Sequence, residues 1–470
     1  MSPIPFPEPR ELDRGMNATA AAPSRRSSGL RPSRRALLLA PPAVAGASVL
    51  GGCGALRSII PGGGGSEEDL RSDVDPAAPP RPEEIRGRLL PFTTGMLSAF
   101  GTEGTSAVLS PLSVLVALAM TAQGAEGETL AQLQEVLGGD AAELAATASC
   151  LRSVLAAVGK DERENREKGD PEPASATLVD ALWIQDGYEV QQDYLDALAR
   201  GFGTGLHTAD FQDPGGRDRA REDINSFVDD ATEGRIPELL AEDVLTDLTR
   251  LVLVDALHVK AAWPDTLVPM GPVPFTLADG TTADIDMLGA ETSSWYEDAQ
   301  LQATRLDTFG DEVALVLARP VGDIPAVLEH WRADGGAALG TLLDGLEDGG
   351  GAEVDLVLPP VDLRTATSVK KTLTAMGLEL AFGDDGDFTG ISTLEDLRIG
   401  DVIHEAVITV DEEGMEAAAA TAVVTEAGAA PGQEEPKRLV LDRPFLFLVI
   451  ERSTCAPLVV GWTADPRQKG

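Results

Sequence analysis

Beyond residue 82, apolar residues recur at intervals of three and four in the first part of the chain and in short alternating or continuous runs later. Stretches 83–100, 112–120, 130–137 and 141–158 have the helical spacing. Pro111 behind Ser110 suits a first helical position after an N-cap. Residues 161–173 are charged and turn-rich and read as a solvated loop. Strand patterns follow at 177–184, 250–259, 353–358, 402–410, 445–450 and 458–462. Helices come first and strands dominate the end, which predicts an α+β fold with a large, mostly antiparallel sheet rather than alternating βαβ units. No second linker interrupts residues 82–470, so one large domain is expected there.

The first 82 residues follow another pattern. Ser33-Arg34-Arg35 precedes the apolar run from Ala36 to Leu50, and Leu50-Gly51-Gly52-Cys53 follows. The run is shorter than the roughly 20 residues that span a bilayer, so residues 1–52 read as a twin-arginine export signal. Small residues before Cys53 resemble a bacterial lipobox, which makes Cys53 the candidate lipid attachment point. Residues 53–81 are rich in Gly, Pro, Ser and acidic side chains and read as a flexible tether. The expected location is the outer face of the cytoplasmic membrane, as a lipoprotein, or the medium.

Charge narrows the partners. The 470 residues hold 37 Lys+Arg against 77 Asp+Glu, a formal net charge of −40, and such a field repels nucleic acid and anionic lipid. Membrane contact is therefore expected only through Cys53. Three cysteines and four histidines, with no C-x-x-C or H-E-x-x-H, offer neither a disulfide framework nor a metal site, and no cofactor is expected.

One segment stands apart: Asp411-Glu412-Glu413-Gly414-Met415-Glu416, Ala417 to Ala420, Thr421, and a Gly, Ala, Pro and charge-rich loop to Lys437, then Asp442-Arg443-Pro444-Phe445. Extended, it would place Met415, Ala417, Ala419, Thr421 and Val423 on a face without charge. His404-Glu405-Ala406 through Ala420, with Asp442 to Phe445, resembles the hinge, reactive-centre loop and C-terminal signature of the serpins. Ser110-Pro111-Leu112-Ser113, Gly124-Ala125-Glu126-Gly127-Glu128-Thr129, Ile224-Asn225-Ser226-Phe227-Val228 with Thr232 to Ile236, Trp263, and Asp387-Phe388-Thr389-Gly390-Ile391 are similar to further serpin signatures, in serpin order.

The resemblance implies a serpin fold with about nine helices and an exposed reactive-centre loop near the C-terminus. It implies no catalytic group but a suicide substrate: a serine protease forms its acyl-enzyme on the loop, and insertion of the cut loop into the central sheet traps it. Hinge residues would be Glu413, Gly414, Met415, Glu416, Ala417, Ala418, Ala419, Ala420 and Thr421. The gate would comprise Ser110, Ser113, Asp255 and His404, and the breach Trp263. Counting along the usual loop puts the reactive bond between Gly428 and Ala429, within a window from Thr425 to Gln433. Small residues in that window suit an elastase-like or subtilisin-like protease. The inhibitor is expected to act as a monomer.

Three positions depart from the family: Met415 where Thr or Ser is usual, Ser106 where Asn is common, and Asp255 where Asn is usual. Met415 is bulky for the start of insertion, which leaves a non-inhibitory serpin serving as a binding or storage module as the alternative. Asp255 is expected to hydrogen-bond His404.

If Cys53 carries the lipid, Cys53→Ser should move the protein from the membrane fraction to the medium or leave an unprocessed precursor. Unchanged fractionation and processing would remove the lipoprotein reading.

Overall fold

A computed structural model of the chain describes residues 69–75, 85–102, 104–348, 350–394, 397–415 and 436–468, the side chains of Val179 and Asp255 excepted. After β1 (Asp69–Leu70) come α1 (Ile85–Phe100), β2 (Ala107–Leu109), α2 (Pro111–Ala122), α3 (Gly127–Leu137), α4 (Ala141–Ala157) and α5 (Lys160–Asn165). Then follow β3 (Ser175–Gln185), α6 (Gln192–Phe202), β4 (Leu206–Ala209), α7 (Pro214–Ala231) and β5 (Leu251–Ala262). A run of strands comes next: β6 (Val268–Thr276), β7 (Thr282–Ser294), β8 (Tyr296–Glu297), β9 (Leu301–Asp307) and β10 (Val313–Pro320). Helices α8 (Ile324–Ala333) and α9 (Ala337–Asp348) lead to β11 (Gly350–Leu358), β12 (Val361–Ser368) and α10 (Lys370–Ala375). The chain closes with β13 (Ile403–Val410), β14 (Gly414–Met415), β15 (Lys437–Val440), β16 (Phe445–Glu451) and β17 (Ala456–Thr463).

The strands form three sheets, ordered β1-β4-β3-β5-β14-β13-β12, β2-β17-β16-β10-β9-β8 and β15-β11-β7-β6. Most neighbours are antiparallel; β3 with β4 and β11 with β15 run parallel. The α+β architecture matches the expected one, with ten α-helical segments among the described residues, two of them, α5 and α10, only six residues long. Helix α2 is buried on every side, which explains its nearly unbroken apolar sequence. Ser110 caps it by accepting a hydrogen bond from the Ser113 N–H.

Two signatures far apart in sequence meet at one contact. The Glu126 N–H donates to the Asp387 carbonyl and the Asp387 N–H to the Thr129 hydroxyl. Gly124 lies so close to Gly390 and Ile391 that a Cβ built on it would stand 2.3 Å from Ile391 Cγ1 and 3.0 Å from the Ile391 backbone nitrogen. Close backbone approach therefore explains this glycine.

The structure departs from the sequence reading in three places. The charged stretch 161–173 begins inside a helix, α5, because Arg163 donates to the Val158 and Ala174 carbonyls and closes the turn that starts it. Strand β6 was hidden by Pro269, Pro272 and Pro274; it is a sheet edge, where a missing N–H costs no ladder bond. Residues 69–75, expected to be part of the tether, instead dock on the domain. There β1 pairs with β4, Asp69 opposite His207 and Leu70 opposite Leu206, and Ser72 donates to Asp196 at 2.6 Å. An open edge supplies partners that the segment's own polar sequence does not advertise.

Gly124→Ala should destabilise the fold by about 1–3 kcal/mol through overpacking, read as a fall in the urea midpoint. An unchanged midpoint would mean that the contact with Ile391 relaxes freely.

Candidate functional site

The centre of the first sheet is built on β13. Its alternation turns His404, Ala406, Ile408 and Val410 toward the main core and Ile403 and Val407 toward a second apolar cluster beneath α7. Past Val410 the chain reverses through Asp411, Glu412 and Glu413. The Asp411 carboxylate accepts from the Glu413 and Gly414 N–H groups at 2.8 and 3.1 Å, an Asx-type turn. Trp263, buried at the end of β5, donates its indole N–H to the Asp411 carbonyl at 3.0 Å and its backbone N–H to the Glu413 carbonyl. The Leu267 N–H takes the Glu412 carbonyl.

This turn delivers β14 between two long strands. Met415 pairs with Val410 of β13 on one side and Ala261 of β5 on the other, while Gly414 pairs with Ala262. Met415 is 2% exposed. Its bulk is therefore already seated in the sheet. Beside it lies a cavity of about 20 Å³ lined by Val259, Val407, Ile408, Thr409, Val449 and Val459, roughly the space of one water. At the far end of the seam Leu253 bridges Val402 in parallel register.

Ser110 and His404, placed together from the sequence, are in contact: the Ser110 backbone N–H donates to His404 Nε2 at 3.0 Å. The Ser110 hydroxyl donates to the Leu458 carbonyl at 2.8 Å, and the Ser113 hydroxyl to the Ser110 carbonyl. Neither hydroxyl is aimed at the imidazole, so the arrangement positions strands and does not activate a nucleophile. Asp255 stands opposite Asp180 in the β3–β5 register; its expected bond to His404 falls on a side chain outside the described residues. Ser106, at the other departure, accepts from the Ala464 and Asp465 N–H groups and secures the C-terminal end.

Glu416, Ala417, Ala418, Ala419, Ala420, Thr421, Gly428, Ala429 and Cys53 lie outside the described residues. The segment 416–435 is flanked by β14 and by β15, whose Lys437 stands opposite Val354 of β11. Sequence reasoning did not find Asp411 as the organiser of the turn, although Asp three residues before Gly414 is an Asx-turn signal. It also missed Arg152, which pairs with the buried Asp180 at 3.0 Å from α4. That pair joins distant elements and leaves no local pattern.

The serpin family, described as serine protease inhibitors, matches residues 91–466. An uncharacterized serpin-like protein of Thermococcus kodakarensis is 29% identical over 381 residues, 80% of this chain and 84% of that one. Leukocyte elastase inhibitor of Bos taurus is 27% identical over 366 residues, 76% of this chain and 92% of that protein. Among solved structures, the native state of the thermophilic serpin tengpin superposes with a TM-score of 0.71 at 22% identity, covering 84% of this chain and 97% of that one.

Two buried groups under the sheet titrate in opposite senses. Burial pushes His404 down to about 4, so the fold prefers neutral imidazole. Its contribution is complete above the ordinary value near 6.5 and is lost as pH falls toward 4. Burial pushes Asp180 up to about 6, against the lowering pull of Arg152. Its proton is favoured in the fold, so stability from this group is lost as pH rises from 4 to 6. The two nearly cancel in the intact protein, and variants separate them. The unfolding free energy of wild type minus that of His404→Asn should shrink by up to about 3 kcal/mol from pH 7 to 4. The corresponding difference for Asp180→Asn should change with the opposite sign over that range. Equal signs, or two flat differences, would refute the assignment.

Proposed function

The chain belongs to the serpin family, and on that premise we propose that it inhibits an elastase-like or subtilisin-like serine protease as a suicide substrate. The observation that carries this reading is β14, two residues of the loop's proximal arm already held as a strand between β5 and β13. The protease would attack within the window from Thr425 to Gln433, with Gly428–Ala429 as the candidate bond, and form an acyl-enzyme. The cut arm would then continue β14 down the seam and carry the protease with it before deacylation. Residues Ala417 to Ala420 suit such entry because small side chains enter a packed sheet without forcing it.

Continued beyond Met415, the β14 registers would assign partners to an inserting arm. Met415 lies opposite Val410 and Ala261, so one step further Glu416 falls opposite Thr409 and Lys260. Directly opposed residues of antiparallel strands share a face, and the arm's first charge therefore comes beside a lysine. In the present structure Lys260 pairs with the exposed Glu233 at 3.8 Å. Five residues further along each strand, Thr421 would fall level with His404 and Asp255, the polar centre of the sheet.

The storage or binding alternative rests on the bulk of Met415, which is buried beside Ala261 and so is already accommodated in the sheet. Export, with a lipid on Cys53, would place the inhibitor at the cell surface; the signal-like sequence ahead of the domain is what supports this.

Cutting the loop between Thr425 and Gln433 should raise the unfolding temperature sharply and leave the fragments associated, because a new central strand gains ladder bonds and buries its apolar face. Wild type should form an SDS-stable complex with a protease of the stated class. Met415→Arg, which places an unpaired charge in the sheet, should instead be cleaved and released. A cut wild type that melts at or below the intact protein, without any such complex, would overturn the inhibitory reading in favour of the storage module.

A further inference from the structure

The seam between β5 and β13 is covered on its outer side. Helix α7 and the segment that follows it pack Ile224, Val228, Ile236, Leu239 and Leu240 onto β3 and β5, and Ile403 and Val407 of β13 join the same cluster. The segment is fastened to α7. Asn225 donates to the Leu240 carbonyl at 3.0 Å and accepts from the Leu240 N–H at 2.7 Å, and the Thr232 hydroxyl accepts from the Ile236 N–H. Because it leads directly into β5, this cover belongs to one side of the seam.

One side chain reaches it from the other side. Arg364 of β12 donates from Nη2 to the Glu238 carbonyl at 3.2 Å. Its Nε lies 2.5 Å from the carboxylate of Glu405 on the neighbouring strand β13. The Glu405 side chain is 0% exposed and the Arg364 side chain 34%. Neither Glu405 oxygen has a hydrogen bond of good geometry, so what balances this buried charge is the nearby guanidinium. Arg364 is thus held at its base by a buried charge on β13 and at its tip by the cover over β5.

A strand entering between β5 and β13 moves them apart by about one interstrand spacing, ~4.8 Å. The Arg364–Glu405 pair lies wholly on the β12–β13 side and can travel as a unit. The bond to the Glu238 carbonyl crosses the line of separation and cannot survive unless the cover lifts. We propose that Arg364, oriented by Glu405 and bonded to the Glu238 carbonyl, is a positioning residue that latches the sheet and sets how fast it admits the cut loop. This rests on the insertion reading and adds the residues that govern its rate.

The test uses the full domain, cut once in the reactive loop, with the time to acquire a heat-resistant form and the change in Trp263 fluorescence as readouts. Arg364→Ala should insert roughly tenfold faster than wild type, as expected for loss of one charge-assisted hydrogen bond. Arg364→Lys should recover most of the wild-type rate. Arg364→Ala combined with Glu405→Gln should be no faster than Arg364→Ala alone, since both act through one bond. Insertion at the wild-type rate in Arg364→Ala overturns the latch. So does a lower urea midpoint of the intact variant with an unaltered insertion rate, which marks a merely structural contact. If cut wild type never becomes heat-resistant, the inhibitory reading falls and the latch with it; a latch failure alone leaves wild-type insertion intact.

Discussion

The molecule is organised around an unfinished join between β5 and β13. Every buried backbone N–H and carbonyl needs a partner, and at one end of this join the partners come from β14, two residues long among the described residues. At the other end the strands are bridged at Leu253 and Val402. The main core behind and the α7 cluster in front both span the join, so any change in its width is felt in two layers of packing at once. Close-packed interiors switch between discrete arrangements instead of stretching, which is the physical basis of the proposed opening of this sheet.

The polar groups serve the same join in different ways. Trp263, Asp411 and Leu267 fix the reversal that brings Gly414 and Met415 home, chiefly through hydrogen bonds to backbone groups. His404 and Ser110 pin β13 to the start of α2. Glu405, one residue along and on the opposite face, is a buried carboxylate whose charge is balanced by the Arg364 guanidinium. Adjacent residues of one strand therefore look to different layers, His404 toward the start of α2 and Glu405 toward Arg364 of β12.

What could be read from the sequence followed from how local each feature is. Helix α2 and strands β13, β16 and β17 announce themselves by apolar pattern, and the small-residue segment after Gly414 has a composition that ordinary helices or loops do not require. Signatures such as Gly124 to Thr129 and Asp387 to Ile391 were visible as words, but the reason for them, a backbone contact between the two, appears only in three dimensions. Prolines concealed β6 because an edge strand is exempt from the rule that makes proline improbable in a sheet. Arg152 with Asp180 and Arg364 with Glu405 were illegible for another cause. Each joins elements that the fold, not the spacing, brings together.

The short β1 strand has a consequence for association between molecules. Sheet edges are templates on which another chain's backbone can add, and in the first sheet the β4 edge is occupied by Asp69 and Leu70, with Ser72 fastened to Asp196. This guard is two residues long and precedes α1 in the chain. Trimming the chain between this strand and α1 would leave the fold's own core intact while baring a strand edge, so colloidal behaviour here depends on residues that contribute little to the rest of the structure.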